Sequence, residues 1–167
     1  LVWQTTYNLT SKLLYGRAFR APSFAELYNI NNPVSLGNPN LKPETINTLE
    51  LAFDYQPTDK VRTGLNLFHY HMNDIIRPTA DPTPATTVTA QNTGGQNGYG
   101  LEWEINWALS NTLKFYANYA LQRSEDQTTH TDAGNAPHHQ IDGRLNWLFK
   151  HDWSLTPQVT WIGERQR

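Results

Sequence analysis

Alternating apolar and polar side chains run through eleven consecutive residues, from Tyr99 to Leu109. Every odd position is large and apolar, and the even positions include Glu102, Glu104 and Asn106. A period of two is typical of a β-strand with one apolar and one hydrated face. Strands in soluble proteins usually have about five or six residues, whereas about nine to eleven tilted residues cross a bilayer. The segment therefore predicts a membrane-spanning strand of a β-barrel.

The same alternation recurs along the chain. Turn-forming residues divide it into about eight segments, at 1–6, 11–21, 45–56, 61–77, 97–109, 113–125, 138–149 and 153–165. Short polar turns at 7–10, 57–60, 110–112 and 150–152 alternate with long connections near 22–44, 78–96 and 126–137. Outer-membrane barrels have this asymmetry, with tight periplasmic turns and long external loops. The predicted fold class is all-β, with about eight long antiparallel up-and-down strands.

Aromatic side chains of the apolar face cluster beside the short turns. They are Phe53, Tyr55, Trp107, Phe115, Trp147, Phe149 and Trp153. Amphipathic rings concentrate at the boundary between water and lipid, so these residues predict a periplasmic girdle. The alternative is a soluble sheet with the rings in its core, since alternation alone does not say which face is buried. Strand length and the long loops at one end favour the barrel.

The composition of the chain excludes several classes of function and of site. The formal net charge is −2 and there is no basic run, which argues against nucleic acid as a partner. Cysteine is absent, so the chain has no disulfide framework or thiolate metal site. The negative mean hydropathy is compatible with a barrel, because half of each barrel strand is polar.

The chain is interpreted as one domain, residues 1–167, that forms an arc of a larger barrel. Its first residues already have a strand pattern, so any signal peptide is expected outside this sequence. Eight strands can close a small barrel, but its interior is just wide enough for its own side chains.

Two motifs in the first long connection resemble those of a known family. The segment from Tyr15 to Tyr28, which contains Phe19-Arg20-Ala21-Pro22, resembles the FRAP box of TonB-dependent outer-membrane receptors. The segment from Gly37 to Glu44, which contains Asn38-Pro39-Asn40-Leu41, resembles their NPNL box. Two further segments, each before a predicted strand, are similar to sequence features of the family. They are Asn92 before Gly100-Leu101-Glu102, and Ala136-Pro137 before His138.

The resemblance implies a transporter. Receptors of this family have a 22-stranded barrel closed by an N-terminal plug, and they import iron chelates, haem or cobalamin with energy relayed by TonB. It therefore implies the bacterial outer membrane as location and no resident cofactor. The implied partners are a ferric siderophore or related chelate, outer-membrane lipid, the protein's own plug, and TonB through an N-terminal region outside this chain.

The polar positions of the alternating strands predict a wall that faces the lumen of the barrel. Its charged members are Glu50, Asp54, Glu102, Glu104, Lys114, Asp142 and Arg144. Such groups are costly in lipid, which explains why they share one face. They either hydrate the lumen and offer partners to a plug, or form a solvated face that holds no specific ligand.

The first external loop is where ligand contact is expected. Arg17 and Arg20 could pair with an anionic chelate, because a guanidinium binds carboxylates in a bidentate manner. The alternative role is structural, with an arginine holding Glu26 or Glu44 so that the loop keeps one shape. Other ligand-binding candidates in this loop are Tyr28, Asn38 and Asn40.

His69 and His71 are weak metal-binding candidates, since residues two apart share one strand face. Parity counted from Leu65 and Leu67 directs both histidines to lipid. Either a β-bulge reverses the register, or Phe68, Tyr70 and Met72 take the outer face.

Three other functions are alternatives to a siderophore receptor. The first is a haem or cobalamin receptor of the same family. The interval between the two boxes has no histidine, where haem receptors are similar in placing one, and this favours a siderophore. The second is a small eight-stranded binding barrel, either in the outer membrane or soluble. The third is an enzyme, which is not expected because Ser, His and Asp are scattered without a nucleophile–base motif.

Overall fold

A computed structural model describes residues 1–83, 86–134, 136–150 and 153–164. The elements in chain order are β1 (Val2–Thr6), β2 (Leu9–Arg20), α1 (Phe24–Tyr28), β3 (Ser35–Leu36), β4 (Glu44–Thr58), β5 (Val61–Asn73), β6 (Ile76–Ala80), β7 (Val88–Asn92), β8 (Gly95–Ala108), β9 (Leu113–Asp126), β10 (His139–Lys150), β11 (Trp153–Leu155) and β12 (Gln158–Ile162). β4 has 15 residues, and β8 and β9 have 14 each. These strands are long enough to cross a bilayer.

Nine strands form one antiparallel sheet. Its order is β1-β2-β4-β5-β8-β9-β10-β11, and β12 also pairs with β10. Neighbouring strands on this path run in opposite directions. The long connections that contain α1, β6 and β7 therefore all lie at the same end of the sheet. The predicted all-β fold of long antiparallel strands is confirmed.

Two predicted strands are divided in the structure. The strand expected over 61–77 ends at Asn73, because Asp74 has a φ of 55°, a left-handed conformation that turns the chain out of the sheet. The following residues form β6, which joins a second sheet of order β3-β7-β6. The strand expected over 153–165 is split into β11 and β12 around Pro157, which lacks the N–H that a ladder needs.

Some predicted positions lie outside the described residues. They are 84–85 in the second long connection, 135 in the third, 151–152 in the last short turn, and 165 at the end of the last predicted strand.

The pairing registers define two faces of the main sheet, because directly paired residues project to the same side. One row on the face that we call outer is Phe53, Leu65, Trp103, Tyr119, Ile141 and Trp161. The adjacent row on the inner face is Asp54, Gly64, Glu104, Asn118, Asp142 and Thr160. Apolar and charged side chains are therefore separated across the whole sheet.

The outer face has no protein packed against it. None of the described hydrophobic residues is buried, and Trp103, Trp107 and Trp147 are 38%, 43% and 45% exposed. Two polar side chains on this face are satisfied within the sheet: the Trp103 indole N–H donates to Thr63 Oγ1 at 2.9 Å, and the Thr63 hydroxyl donates to the Glu104 carbonyl at 2.7 Å. An exposed apolar face of this kind suits hydrocarbon, whereas a soluble sandwich buries such rings.

The outer face changes from apolar to polar toward the long connections. One row consists of Leu13, Leu51, Leu67, Leu101 and Leu121. The next row is Tyr15, Leu49, His69, Tyr99 and Arg123, and the row after that is Arg17, Asn47, His71, Asn97 and Glu125. This change marks the external limit of the apolar band.

His69 and His71 lie on the outer face, where that band ends. The register of β5 is continuous with β4 and with β8 through both histidines. There is no bulge at this point, and the inner face keeps Phe68, Tyr70 and Met72. Both alternatives raised from the sequence are therefore wrong. The strand stays in register, and its outer residues become polar because they have reached the membrane boundary.

The inner face lies on the concave side of the sheet. A groove of about 660 Å³ is lined mainly by inner-face residues, among them Lys12, Asn66, Glu102 and Asn118. In the described part of the chain, no helix has the length and apolar character needed to span a membrane.

Gly100→Ala is expected to lower the free energy of unfolding by about 2 kcal/mol, because the strand has no space for a side chain there. A Cβ at Gly100 would lie 2.2 Å from the Leu121 carbonyl oxygen and 2.6 Å from the Phe68 ring. Gly16→Ala is the matched control on the inner face, since a Cβ there meets nothing within 4 Å. Urea unfolding of the refolded variants measures both. Equal losses would contradict the position of the Phe68 ring.

Candidate functional site

A short helix, α1, follows β2 in the first long connection. Ser23 is its N-cap: the Ser23 hydroxyl oxygen accepts from the Glu26 N–H at 3.3 Å, and Glu26 Oε2 accepts from the Ser23 N–H at 2.7 Å. This reciprocal capping box satisfies two N–H groups that would otherwise lack partners. The helix therefore begins at a defined residue directly after the FRAP-like segment.

Arg20 joins this helix to the wall. Its guanidinium donates to both Glu44 carboxylate oxygens at 2.7 and 2.9 Å, and to both Glu26 oxygens at 3.0 Å. The buried Glu44 also accepts from the Ile76 N–H at 2.7 Å. One arginine and two carboxylates thus connect the end of β2, the start of β4, α1 and β6.

The NPNL-like segment packs against α1 and the second loop. Gly37 comes so close to the helix that a Cβ would lie 2.7 to 2.8 Å from backbone atoms of Leu27, Tyr28 and Asn29. The Asn92 side chain accepts from the Lys42 N–H at 2.8 Å and donates to the Lys42 and Asp74 carbonyls at 2.9 and 2.7 Å.

Arg77 and Asp126 connect the second loop to the third. Arg77 forms an ion pair with Asp126, which is 6% exposed. The other Asp126 oxygen accepts from the N–H groups of Thr128 and Thr129 at 2.8 and 3.1 Å. We use the name loop clasp for Arg20, Glu26, Glu44, Arg77, Asn92 and Asp126. The clasp joins all three external loops to one another and to the wall.

The third loop has an internal contact of its own. Asp132 accepts from the Gly134 N–H at 2.7 Å and is paired with His138. The Gly134 N–H, more than the nearby His138, lowers the pKa of Asp132.

The five predicted ligand-binding residues have different environments. Arg20 is occupied by two carboxylates, as the structural alternative expected, and the Asn38 side chain accepts from the Asn40 N–H at 2.9 Å. Tyr28 is 51% exposed, and Asn40 is also exposed. Arg17 pairs with Asn47 on the outer face and is separated from the other four.

The predicted wall residues share the inner face. They are Glu50, Glu102, Glu104, Lys114, Asp142 and Arg144. Asp142 accepts from Gln158 and Thr160, and the Arg144 guanidinium lies 5.4 Å from the Tyr116 ring centre. The described residues offer no hydrogen bond to the carboxylates of Glu102 and Glu104. Within the same part of the chain, no cluster of three or more His, Asp or Glu could hold a metal.

Sequence reasoning missed three members of the clasp: Arg77, Asn92 and Asp126. The sequence did single out Asn92, because it opens the segment before Gly100-Leu101-Glu102 that resembles a recurrent sequence feature of the family. Arg77 and Asp126 are 49 positions apart, and nothing local in the sequence indicates that they meet.

The pH dependence of α1 follows from Glu26. The Arg20 guanidinium, followed by the Ser23 N–H, lowers the pKa of Glu26 from 4.5 to about 2. A carboxylate with a lowered pKa stabilises the fold above its ordinary pKa, and the contribution is lost as the pH falls toward the lowered value. Hydrogen-exchange protection of residues 24–28 is therefore expected to stay constant above pH 4.5 and to fall between pH 4.5 and 2.

Glu26→Gln is the control for this titration. The variant should have lower protection of α1 above pH 4.5, should lack the decrease of the native chain in that window, and should match the native chain near pH 2. An unchanged pH profile in Glu26→Gln would contradict the assignment.

Comparison with known proteins agrees with this geometry. The family model described as TonB dependent receptor-like, beta-barrel, matches residues 1–167. The chain is 24% identical over 188 residues to the ferrienterobactin receptor of Escherichia coli (strain K12), which covers 95% of this chain and 24% of that protein. It is 28% identical over 137 residues to the hemin receptor of Yersinia pestis, with coverages of 71% and 20%.

Among solved structures, a mutant of the ferric enterobactin receptor from Pseudomonas aeruginosa in complex with enterobactin is similar in fold. The TM-score is 0.87 at 23% sequence identity, and the match covers 98% of this chain and 27% of that chain. The chain spans about a quarter of the length of the first curated relatives it matches.

Proposed function

Because the chain belongs to the TonB dependent receptor-like β-barrel family, we propose that it supplies part of the wall and three external loops of a receptor that imports a ferric siderophore. The chain is an outer-membrane β-barrel segment, and the family consists of receptors and transporters, which are not enzymes, as the sequence predicted. The parent protein's activity, cargo and partners are our proposal.

The observation that carries the proposal is the loop clasp. Arg20 holds Glu26 and Glu44 at 2.7 to 3.0 Å, and Arg77 is paired with Asp126. Three loops that are fixed before a ligand arrives lose less conformational entropy on binding than three mobile loops. Such an arrangement suits the capture of a scarce ligand at the external mouth of a barrel.

The ligand contacts proposed for this chain are Tyr28 and Asn40. Both are exposed on the first external loop, while Arg20 and Asn38 hold the loop in shape. A tyrosine ring and an amide offer one apolar face and several hydrogen-bonding atoms to a chelate.

A siderophore is favoured over haem by the positions of the histidines. The interval from Pro22 to Glu44 has none, and His69 and His71 face outward, away from the lumen. The relatives include a ferrienterobactin receptor and a hemin receptor, so haem is the second candidate. Cobalamin is the remaining candidate within the family.

The proposed internal partner is the receptor's own plug. The inner face presents the Glu102 and Glu104 carboxylates to the concave groove, where cationic side chains of a plug would find partners. TonB would act through an N-terminal region outside this chain.

Growth on defined iron sources tests the proposed function. A strain that lacks the parent receptor is complemented with the native gene and supplied with ferric enterobactin or haemin as the only iron source. Uptake of cobalamin is tested separately, in a cobalamin auxotroph that has another iron source. We expect growth to be restored on the ferric siderophore. Restoration on haemin or cobalamin alone would overturn the assignment.

Binding by the purified receptor tests the two proposed contacts. Tyr28→Ala and Asn40→Ala are each expected to weaken ferric siderophore binding by about tenfold, which corresponds to about 1.4 kcal/mol. Ile30→Ala is the control, since its side chain is exposed on the same external loop, whereas the Phe24 ring lies 5.0 Å from the Tyr28 ring and its removal would disturb Tyr28. Equal affinities for all variants would remove Tyr28 and Asn40 from the site.

A further inference from the structure

Positive charge is concentrated on the inner face of the sheet, at the end where the short turns lie. Two successive rows of this face carry it. The row nearest the turns is Lys60, Ala108, Lys114 and Asn146, and the next row is Arg62, Asn106, Tyr116 and Arg144. Outer-membrane barrels have their short turns in the periplasm. The two rows therefore line the periplasmic end of the lumen.

The four cations of these rows share one cleft. Lys60, Arg62, Lys114 and Arg144 all line a cavity of about 300 Å³, which we call the basic cleft. Asp59 in the adjoining turn is the one acidic residue among the described residues that line it. The formal net charge of the whole chain is −2, so the basic cleft has the opposite sign to the chain.

Three of the four cations are in no ion pair within the part of the chain that the structure describes. Arg62 is paired with Asp54, whereas the Arg144 guanidinium contacts an aromatic ring. The side chains of Lys60 and Lys114 are exposed and have no hydrogen bond or ion pair with a described residue. These charges are available to an anion in the lumen.

The next row of the inner face, farther from the short turns, is acidic. It contains Asp54, Glu104 and Asp142. The wall is therefore negative toward its middle and positive at its periplasmic end. A cleft lined by charges of one sign focuses the field and raises the local concentration of counter-ions by about tenfold or more. An anion in the lumen is attracted to the periplasmic end and repelled from the middle of the wall.

We propose that the basic cleft is an exit site, which draws a ferric chelate of net negative charge from the lumen toward the periplasm. The inference rests on the proposed import of a ferric siderophore and adds the charge class of that cargo. Catecholate and carboxylate chelates are anionic, because their oxygen atoms carry more negative charge than the ferric ion neutralises. Ammonium and guanidinium groups donate to such oxygen atoms. A chelate without net charge would gain little from the cleft.

The experiment uses the intact receptor in a receptor-deficient strain, with radiolabelled ferric enterobactin as the probe. Surface binding is measured in de-energised cells and uptake in energised cells. The Lys114→Gln, Arg144→Gln double variant is expected to bind with native affinity and to import roughly tenfold more slowly. Native surface binding would also show that this variant is folded.

Two further variants separate charge from other effects of substitution. The Lys114→Arg, Arg144→Lys double variant keeps both positive charges and should import at the native rate. Lys12→Gln removes a cation of the same inner face that lies outside the basic cleft. It is the matched control and should also import at the native rate.

Several results would overturn the exit site. They are native uptake by the double glutamine variant, an equal loss of uptake in the charge-retaining variant, and a loss of surface binding in parallel with uptake. If the cations hold the plug instead, the double glutamine variant would admit a large antibiotic that the native receptor excludes, and this result would also overturn it. A native receptor that neither binds nor imports ferric enterobactin would contradict the proposed function itself, and the exit site with it.

Discussion

Ile105→Arg is expected to lower the free energy of unfolding of the receptor by about 2 to 4 kcal/mol. Ile105 lies near the middle of the alternating stretch from Tyr99 to Leu109, on the outer face of β8, where it pairs with Thr63 and Ala117. A guanidinium at this depth has to be desolvated or has to drag water and headgroups into the hydrocarbon. Refolding into lipid vesicles under increasing guanidinium chloride measures the loss.

Glu104→Gln is the matched control, one residue away on the opposite face. The Glu104 carboxylate faces the concave groove, so replacement by an amide of similar size should change stability by less than about 0.5 kcal/mol. Similar losses for Ile105→Arg and Glu104→Gln would contradict the assignment of the two faces.

Arg20→Met is expected to loosen the external loops without unfolding the wall. The substitution removes four hydrogen bonds and leaves the Glu26 and Glu44 carboxylates close together without a cation. Because Arg20 is 48% exposed, solvent reduces the loss, and we expect about 2 kcal/mol. Amide exchange in α1 and β6 should then be roughly 30-fold faster.

Arg17→Met is the control for the clasp, since Arg17 is on the same strand but faces outward. It should leave exchange in α1 and β6 unchanged, and neither variant should alter exchange in the middle of β8 or β9. Unchanged exchange in Arg20→Met, or faster exchange throughout the wall, would show that the clasp does not fix the loops.

Wall strands could be predicted from the sequence because their pattern is local. In β8, the alternation from Tyr99 to Leu109 specifies both the conformation and the face of each residue. The error at 61–77 came from a feature that alternation does not reveal, the left-handed conformation of Asp74. Alternation does not reveal the environment of the β5 histidines for a related reason, since the height at which the apolar band ends depends on strand tilt and on the neighbouring strands.

The loops were less predictable because distant residues hold them. Arg77 reaches Asp126 across 49 positions, and no local pattern specifies that pair. The contact of Arg20 with Glu44, 24 positions away, was indicated only as one of two roles for the arginine. The exception is α1, whose Ser23-x-x-Glu26 capping box is readable in the sequence.

Spin labels on β8 test most directly whether lipid bathes the outer face. Single cysteines are introduced at each position from 99 to 109 of the reconstituted receptor and carry a nitroxide, whose accessibility to oxygen and to a water-soluble nickel chelate is measured. Oxygen accessibility should peak at odd positions such as 103 and 105, and nickel accessibility at even positions such as 102 and 104. Odd positions shielded from both reagents, with even positions open to bulk water, would mean that the tryptophan face is a protein core.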